Sequence, residues 1–342
     1  MKILHTSRYF LIISVVIGTL FQTGCHSKFA GGVEVSRTVP LMGTFVHVKV
    51  ISHDIGRKDI NGQISKVFSL ARTLEEKLSV YDAGSELNKL NFSGFMKVSN
   101  DILDVLIAAE NINTLTSGAF DPTIAPILKR NGFYNGMPRD ILDRIPEDDE
   151  GVGFHNVLIN KETGFVSLEN GAWLDVAGIA KGYIVDKMAS FLTARGFETF
   201  LVNAGGDIYC GKGPSGKKWR IGIREPGTEE INTVLEMEFC AVATSGDYEN
   251  FIVDGDHNRT MSHIADPLAL MITETAPLGF TVISPVCVTA DGLATGMIVM
   301  GAKKALETVE CIDEVDLIII SRAEGKGSVL MSSGSEIFLS RR

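Results

Sequence analysis

Hairpin-length connections constrain this chain more than any other feature. Alternating strand-like segments recur at residues 35–51, 157–160, 165–168, 200–203, 219–224, 234–244, 251–253, 259–261, 316–321 and 328–331. Many neighbouring segments are joined by links too short for a parallel crossover, which needs a dozen residues or more. That pattern predicts an α+β fold on largely antiparallel sheet rather than a doubly wound parallel sheet. Helices punctuate the strands. Ile60, Ile64, Val67, Phe68, Ala71, Leu74 and Leu78 form one apolar stripe, which places a helix over 57–78. Ser99-Asn100 caps a second helix running to Leu115. A strand delivers Asp175, and the helix after it stops at Gly196. Residues 303–311 read as a further helix. Residues 131–155 are rich in Gly, Pro and acids and read as a surface excursion.

The amino terminus reads as a processing signal. Lys2 and Arg8 precede the apolar run 9–21, and Gln22-Thr23-Gly24-Cys25 follows. A charged segment, a short apolar core and a small residue before cysteine resemble a bacterial lipoprotein leader, with Cys25 as the lipidated residue. Gln22 departs from the usual aliphatic residue, so cleavage without lipidation is the alternative. The expected organisation is a leader and lipobox over 1–25, a linker over 26–34, and one domain over 35–342. The expected location is exported, membrane-anchored and facing the periplasm. With Cys25 set aside, the other cysteines are widely spaced, with no C-x-x-C and no zinc spacing. No structural disulfide is expected.

Some function classes are excluded early. A net charge of −10 leaves no basic excess for nucleic acid. No G-x-G-x-x-G follows a strand, and no P-loop occurs.

Glycine–acid junctions supply the candidate chemistry. They are Ala119-Phe120-Asp121, Asp175 with Gly178, Gly205-Gly206-Asp207, and Asp291-Gly292. Each alone fits an ordinary turn; together they suggest one polar cleft. Residues 284–300 read as a strand, with Val286 and Val288 alternating, that ends in a helix with Asp291 at the join. Thr295 lies four residues on, so the two share a helix face. A carboxylate plus a hydroxyl there suits a hard cation such as Mg2+; an N-cap and a packed hydroxyl is the competing reading. Lys181, near a helix start, could meet a phosphate or be a solvated lysine. His263, with Asp266 nearby, has the setting of a general base or of a locally bonded strand-end histidine.

Taken in order, these segments match a known family. Met42-Gly43-Thr44, residues 79–81 with Ser85-Glu86-Leu87-Asn88, residues 117–122, 175–183, 203–207, 243–246, 263–267 and 290–295 resemble the bacterial FAD:protein FMN transferases, the ApbE-type flavin transferases. The resemblance runs over roughly residues 35–335. It implies a T-fold-like α+β architecture and an exported Mg2+-dependent enzyme. Such an enzyme splits FAD and transfers FMN to a Thr or Ser hydroxyl of an acceptor protein, commonly a membrane redox subunit. By the family pattern, Met42, Tyr81, Ala119, Phe120, Asp121, Asp175, Lys181 and Ile264 would line the FAD site. Asp291, Thr295 and a backbone oxygen at Gly178 or Ala180 would hold the metal, and His263 would be the base. The same residues would serve an FAD pyrophosphatase, with water as acceptor. A periplasmic flavin-binding lipoprotein would need no base.

Overall fold

The computed structural model describes residues 32–246, 251–254, 259–274, 278–323 and 326–340. The leader and lipobox lie outside the described residues. Among the described residues no helix is long and apolar enough to cross a membrane.

In chain order the elements are β1 (Val33–Leu41), β2 (Thr44–Ser52), α1 (Arg57–Leu78), α2 (Glu86–Ser93), β3 (Phe95–Lys97), α3 (Asn100–Leu115), α4 (Ala125–Arg130), α5 (Arg139–Leu142), β4 (Val157–Asn160), β5 (Phe165–Leu168), α6 (Ala177–Ala194), β6 (Thr199–Ala204) and β7 (Asp207–Cys210). There follow β8 (Trp219–Arg224), β9 (Ile231–Met237), β10 (Cys240–Gly246), β11 (Phe251–Asp254), β12 (Arg259–Asp266), β13 (Met271–Glu274), β14 (Leu278–Ser284), α7 (Cys287–Met300), α8 (Ala302–Val309), β15 (Asp316–Ala323) and β16 (Lys326–Met331). The strand β1 begins at Val33, so the last two residues expected in the linker pair with Ser52 and Ile51 instead.

One antiparallel sheet organises the molecule, in the order β1-β2-β6-β7-β10-β14-β15-β16. Alternation sends successive residues to opposite faces. Leu317 and Ile319 join the core under the helices, while Ile318 and Ile320 join a second core beneath the β8–β9 hairpin. Both faces of β15 are therefore covered, which is why its sequence is continuously apolar rather than alternating. Burying each such aliphatic side chain contributes roughly 1.5–3 kcal/mol.

Helices α1, α3, α6 and α7 supply the larger core. The α1 stripe faces inward as its period requires, with Ile60, Ile64, Val67 and Ala71 fully buried. In α7, Ala290, Gly292, Leu293, Ala294, Gly296 and Met297 are all buried. A helix apolar on every side belongs inside a protein, and its small residues admit close neighbours. Gly182 of α6 marks the tightest approach. A Cβ there would lie 2.5 Å from the Cys287 carbonyl oxygen and 2.8 Å from the Asp291 Cβ.

The structure corrects several local expectations. Residues 171–176 form no strand. Asn91 instead satisfies the Leu174 backbone, its Nδ2 donating to the carbonyl at 3.0 Å and its Oδ1 accepting from the amide at 2.8 Å. The Asp175 amide donates to the Pro122 carbonyl at 2.7 Å. Asp175 is thus held by a loop and one buried amide side chain. Residues 131–155 are not a surface excursion, because Tyr134, Met137, Ile141, Ile145 and Phe154 are buried in the main core. Phe120, in the loop after α3, is buried too. Ser99 sits at the head of α3 but makes no side-chain cap; its hydroxyl donates to Glu86 Oε2 at 2.7 Å.

Val288 belongs to α7, and Asp291 lies inside that helix rather than at its start. No residue near the start of α7 caps it. Asp186 of α6 accepts from the amides of Cys287 at 2.7 Å and Val288 at 2.8 Å. A carboxylate at a helix N-terminus also meets the favourable end of the macrodipole. A cap supplied from another helix leaves no local signal, so α7 reads as strand up to Val288.

Candidate active site

Two hairpin tips open the site. Met42 and Gly43, both at positive φ, form the two-residue turn between β1 and β2. Such turns match the twist of the strands they join. Met42 is not glycine, and its left-handed backbone is held by its amide, which donates a hydrogen bond to Glu75 Oε1 at 2.7 Å. Gly205-Gly206 turns β6 into β7 beside it, and a Cβ on Gly205 would meet Thr44 Oγ1 at 2.6 Å. The second tip sits against the first because glycine allows it.

Between these tips, the start of α6, the middle of α7 and strand β12 lies a cavity of about 590 Å3. Its lining includes Met42, Tyr81, Ala119, Phe120, Asp121, Asp175, Gly178, Lys181, His263, Ile264, Asp291 and Thr295. These residues come from widely separated parts of the chain, and the fold brings them together. Ala180 is not in the lining. Two residues past Gly178 on a helix of 3.6 residues per turn, it points away from the face that Gly178 presents; it packs against the core.

The end of the cavity at Thr295 is a set of hard oxygens. Thr295 Oγ1 lies 3.2 Å from the Asp291 carbonyl, 3.4 Å from the Gly178 carbonyl and 3.3 Å from Ser245 Oγ. The Asp291 carboxylate is buried, and its Oδ2 accepts from the Gly182 amide at 2.8 Å. The Lys181 ammonium forms an ion pair with Asp207 and stands 3.7 Å from Asp291 Oδ1. Burial opposes the charge on Lys181, but Asp207 and Asp291 outweigh it and raise its pKa. A cation is therefore already favoured at this position. Carboxylate, hydroxyl and carbonyl oxygens without thiolate or imidazole suit Mg2+. Among the described residues no three His, Cys, Asp or Glu side chains gather as a metal cluster, so neutral oxygens would supply the rest of the shell.

At the other acids, burial dominates. Asp175 is raised by burial, against hydrogen bonds from Tyr134 and the Ala177 amide. Tyr134 Oη donates to Asp175 Oδ2 at 2.7 Å, and the Ala177 amide donates to Oδ1 at 2.9 Å. Asp121 is also raised by burial; its Oδ1 accepts from the Thr123 hydroxyl at 2.6 Å and its Oδ2 from the Phe154 amide at 2.6 Å. Tyr81 packs edge-on against Tyr134, with centroids 6.3 Å apart.

His263 is not at a strand end. It lies within β12, where the register with β13 slips between Met261 and Ala265. Bulges of this kind re-aim side chains, and His263 lines the cavity. Asp266 is not set up as its partner acid, because Asp266 Oδ1 accepts from the Leu268 and Ala269 amides at 2.8 and 3.0 Å in the β12–β13 turn.

Tyr134, Phe133, Thr44 and Thr244 also line the cavity and are not among the residues expected there. The first two belong to the segment that reads as a surface excursion. Asp207, expected in the cleft from its glycine–acid junction, is not in the lining but pairs with Lys181.

Comparison with known proteins agrees with this geometry. The sequence profile of the ApbE family matches residues 42–319. A protein of Vibrio cholerae named FAD:protein FMN transferase is 31% identical over 334 residues, which cover 94% of this chain and 97% of that protein. The solved flavin transferase ApbE from Vibrio cholerae superposes with a TM-score of 0.75 at 28% identity, over 90% of this chain and 100% of that one. Pseudomonas stutzeri flavinyl transferase ApbE, in its apo form, gives a TM-score of 0.76 at 26% identity, over 90% and 97%. The profile takes in every residue that lines the cavity, the relative matches nearly the whole chain, and the chain belongs to the ApbE family.

Proposed function

We propose that the chain transfers FMN from FAD to a Thr or Ser hydroxyl of an acceptor protein and releases AMP. The observation that carries this reading is the single cavity lined by the Asp291, Thr295 and Gly178 oxygens, by Lys181 and by His263. Relatives named for this activity match nearly the whole chain, which supports it further.

Asp291, Thr295 and the Gly178 carbonyl would hold Mg2+, which when bound neutralises pyrophosphate charge and helps the leaving phosphate depart. Lys181 places a positive charge at the same end, where phosphoryl transfer needs charge neutralisation and positioning. Asp175, fixed by Tyr134, offers an acceptor to an N–H or O–H of the nucleotide. Tyr81 and Phe120 present aromatic rings to the flavin or adenine. His263 takes the hydroxyl proton of the acceptor as its oxygen attacks the FMN-side phosphorus. The bond from that phosphorus to the AMP oxygen breaks, and AMP leaves with the electron pair. General-base assistance of this kind contributes about 10²- to 10⁴-fold.

The leader over residues 1–25 supports an exported chain anchored through a lipid on Cys25, with its acceptors among membrane redox subunits. The test is direct. The chain is incubated with FAD and Mg2+, with and without a candidate acceptor, and AMP and protein-bound flavin are followed. Covalent flavin on the acceptor establishes transfer. AMP and free FMN alone would make the chain a pyrophosphatase, and tight FAD binding without product would make it a carrier.

A further inference from the structure

We propose that Asp207 is a positioning residue for the cation site: it holds the Lys181 ammonium away from Asp291 and so leaves that carboxylate to a divalent cation. The inference rests on the assignment of Asp291 as a metal ligand made above.

Asp207 follows the Gly205-Gly206 tip and is almost fully buried, at 2% exposure. Asp291, on a different element, is 3% exposed. The Lys181 ammonium faces both. It hydrogen-bonds Asp207 but stays 3.7 Å from Asp291 Oδ1. The other Asp291 oxygen is committed to the Gly182 amide, so Oδ1 is the oxygen over which lysine and metal compete. Two carboxylates and one ammonium leave the cluster at net −1. A divalent cation takes it to +1, which suits an anionic pyrophosphate.

Without the Asp207 carboxylate, the strongest remaining partner for Lys181 is Asp291 Oδ1. An incoming metal must then displace an ammonium from its own ligand. A charge-assisted hydrogen bond of ordinary strength corresponds to roughly a 10- to 100-fold effect on affinity.

The experiment measures Mn2+ binding by electron paramagnetic resonance, on the full chain without FAD. Asp207→Asn should weaken Mn2+ binding by about tenfold or more. Lys181→Met should tighten it. The double variant Asp207→Asn/Lys181→Met should bind at least as tightly as the unmodified chain, because the competitor is gone. If Asp207 were a ligand or a purely structural acid, the double variant would stay as weak as Asp207→Asn, and the proposal falls. Unchanged or weaker binding by Lys181→Met also overturns it, whether or not Asp207→Asn folds. Asp291→Asn serves as the reference: Mn2+ binding equal to that of the unmodified chain would overturn the metal assignment and this proposal together.

Discussion

Replacing Gly182 by alanine sets two opposing effects against each other. In a helix interior alanine is favoured over glycine by about 0.5–1 kcal/mol. Gly62 of α1 shows that effect alone, because nothing lies within 4 Å of a Cβ there. Gly62→Ala should therefore raise stability by roughly that amount. At Gly182 the new methyl meets the Cys287 carbonyl oxygen at 2.5 Å and the Asp291 Cβ at 2.8 Å. Ordinary carbon contacts begin about 3.5 Å apart, so α6 and α7 must separate by roughly 1 Å. Overpacking of this kind costs about 1–3 kcal/mol. The same separation strains the Gly182 amide bond to Asp291, and a hydrogen bond to a charged group is worth about 1.5–3 kcal/mol. Packing wins, with a net loss of about 3 kcal/mol and a fall in Tm of roughly 5 °C. Thermal unfolding of both variants, with Mn2+ binding measured in parallel, checks the argument. Equal stabilisation by Gly182→Ala and Gly62→Ala would refute the close approach of α6 to α7 on which it rests.

His263→Ala should retain FAD binding and lose about 10²- to 10⁴-fold in transfer; undiminished transfer would remove the histidine from the proton step. Tyr134→Phe deletes the hydroxyl on Asp175 and should raise the FAD KM by about tenfold with kcat little changed, which steady-state kinetics would read. Burial raises the Asp186 carboxyl to about 6, against the amide bonds from Val288 and Cys287. A carboxyl raised by folding binds its proton more tightly in the folded chain, so its stabilising contribution is full below about pH 4 and is lost as pH rises through about 6. Asp186→Asn should flatten that decline by up to about 3 kcal/mol, measured as denaturant unfolding from pH 4 to 7; an unchanged slope would place the titration elsewhere.

What could be read from the sequence was local and periodic. The α1 stripe repeats at one period over its length, and its boundaries, Arg57–Leu78, agree with those expected. The tight hairpins announced antiparallel sheet, and the short motifs in order announced the cavity lining. What was hidden depends on partners far along the chain. The Asp186 cap on α7 spans 101 residues and the Tyr134–Asp175 bond spans 41. Neither leaves a trace near the residue it controls. The slip in β12 that places His263 is likewise set by pairing with β13, and no glycine or proline marks it. Between Gly178 and Ala180 the sequence offers no choice, since a backbone ligand has no side-chain signature to fix its position; only Gly178 lines the cavity.

The histidine and the oxygens proposed to hold the cation reach the cavity on different supports. Lys181, Gly178, Asp291 and Thr295 ride on α6 and α7, joined by the Gly182 bond and the Asp186 cap. His263 rides on the separate sheet β11-β12-β13. On the proposed function, donor handling rests on the helical pair and acceptor handling on this small sheet. Rebuilding the β12–β13 turn to admit a different acceptor segment should leave the bonds that join α6 to α7 in place.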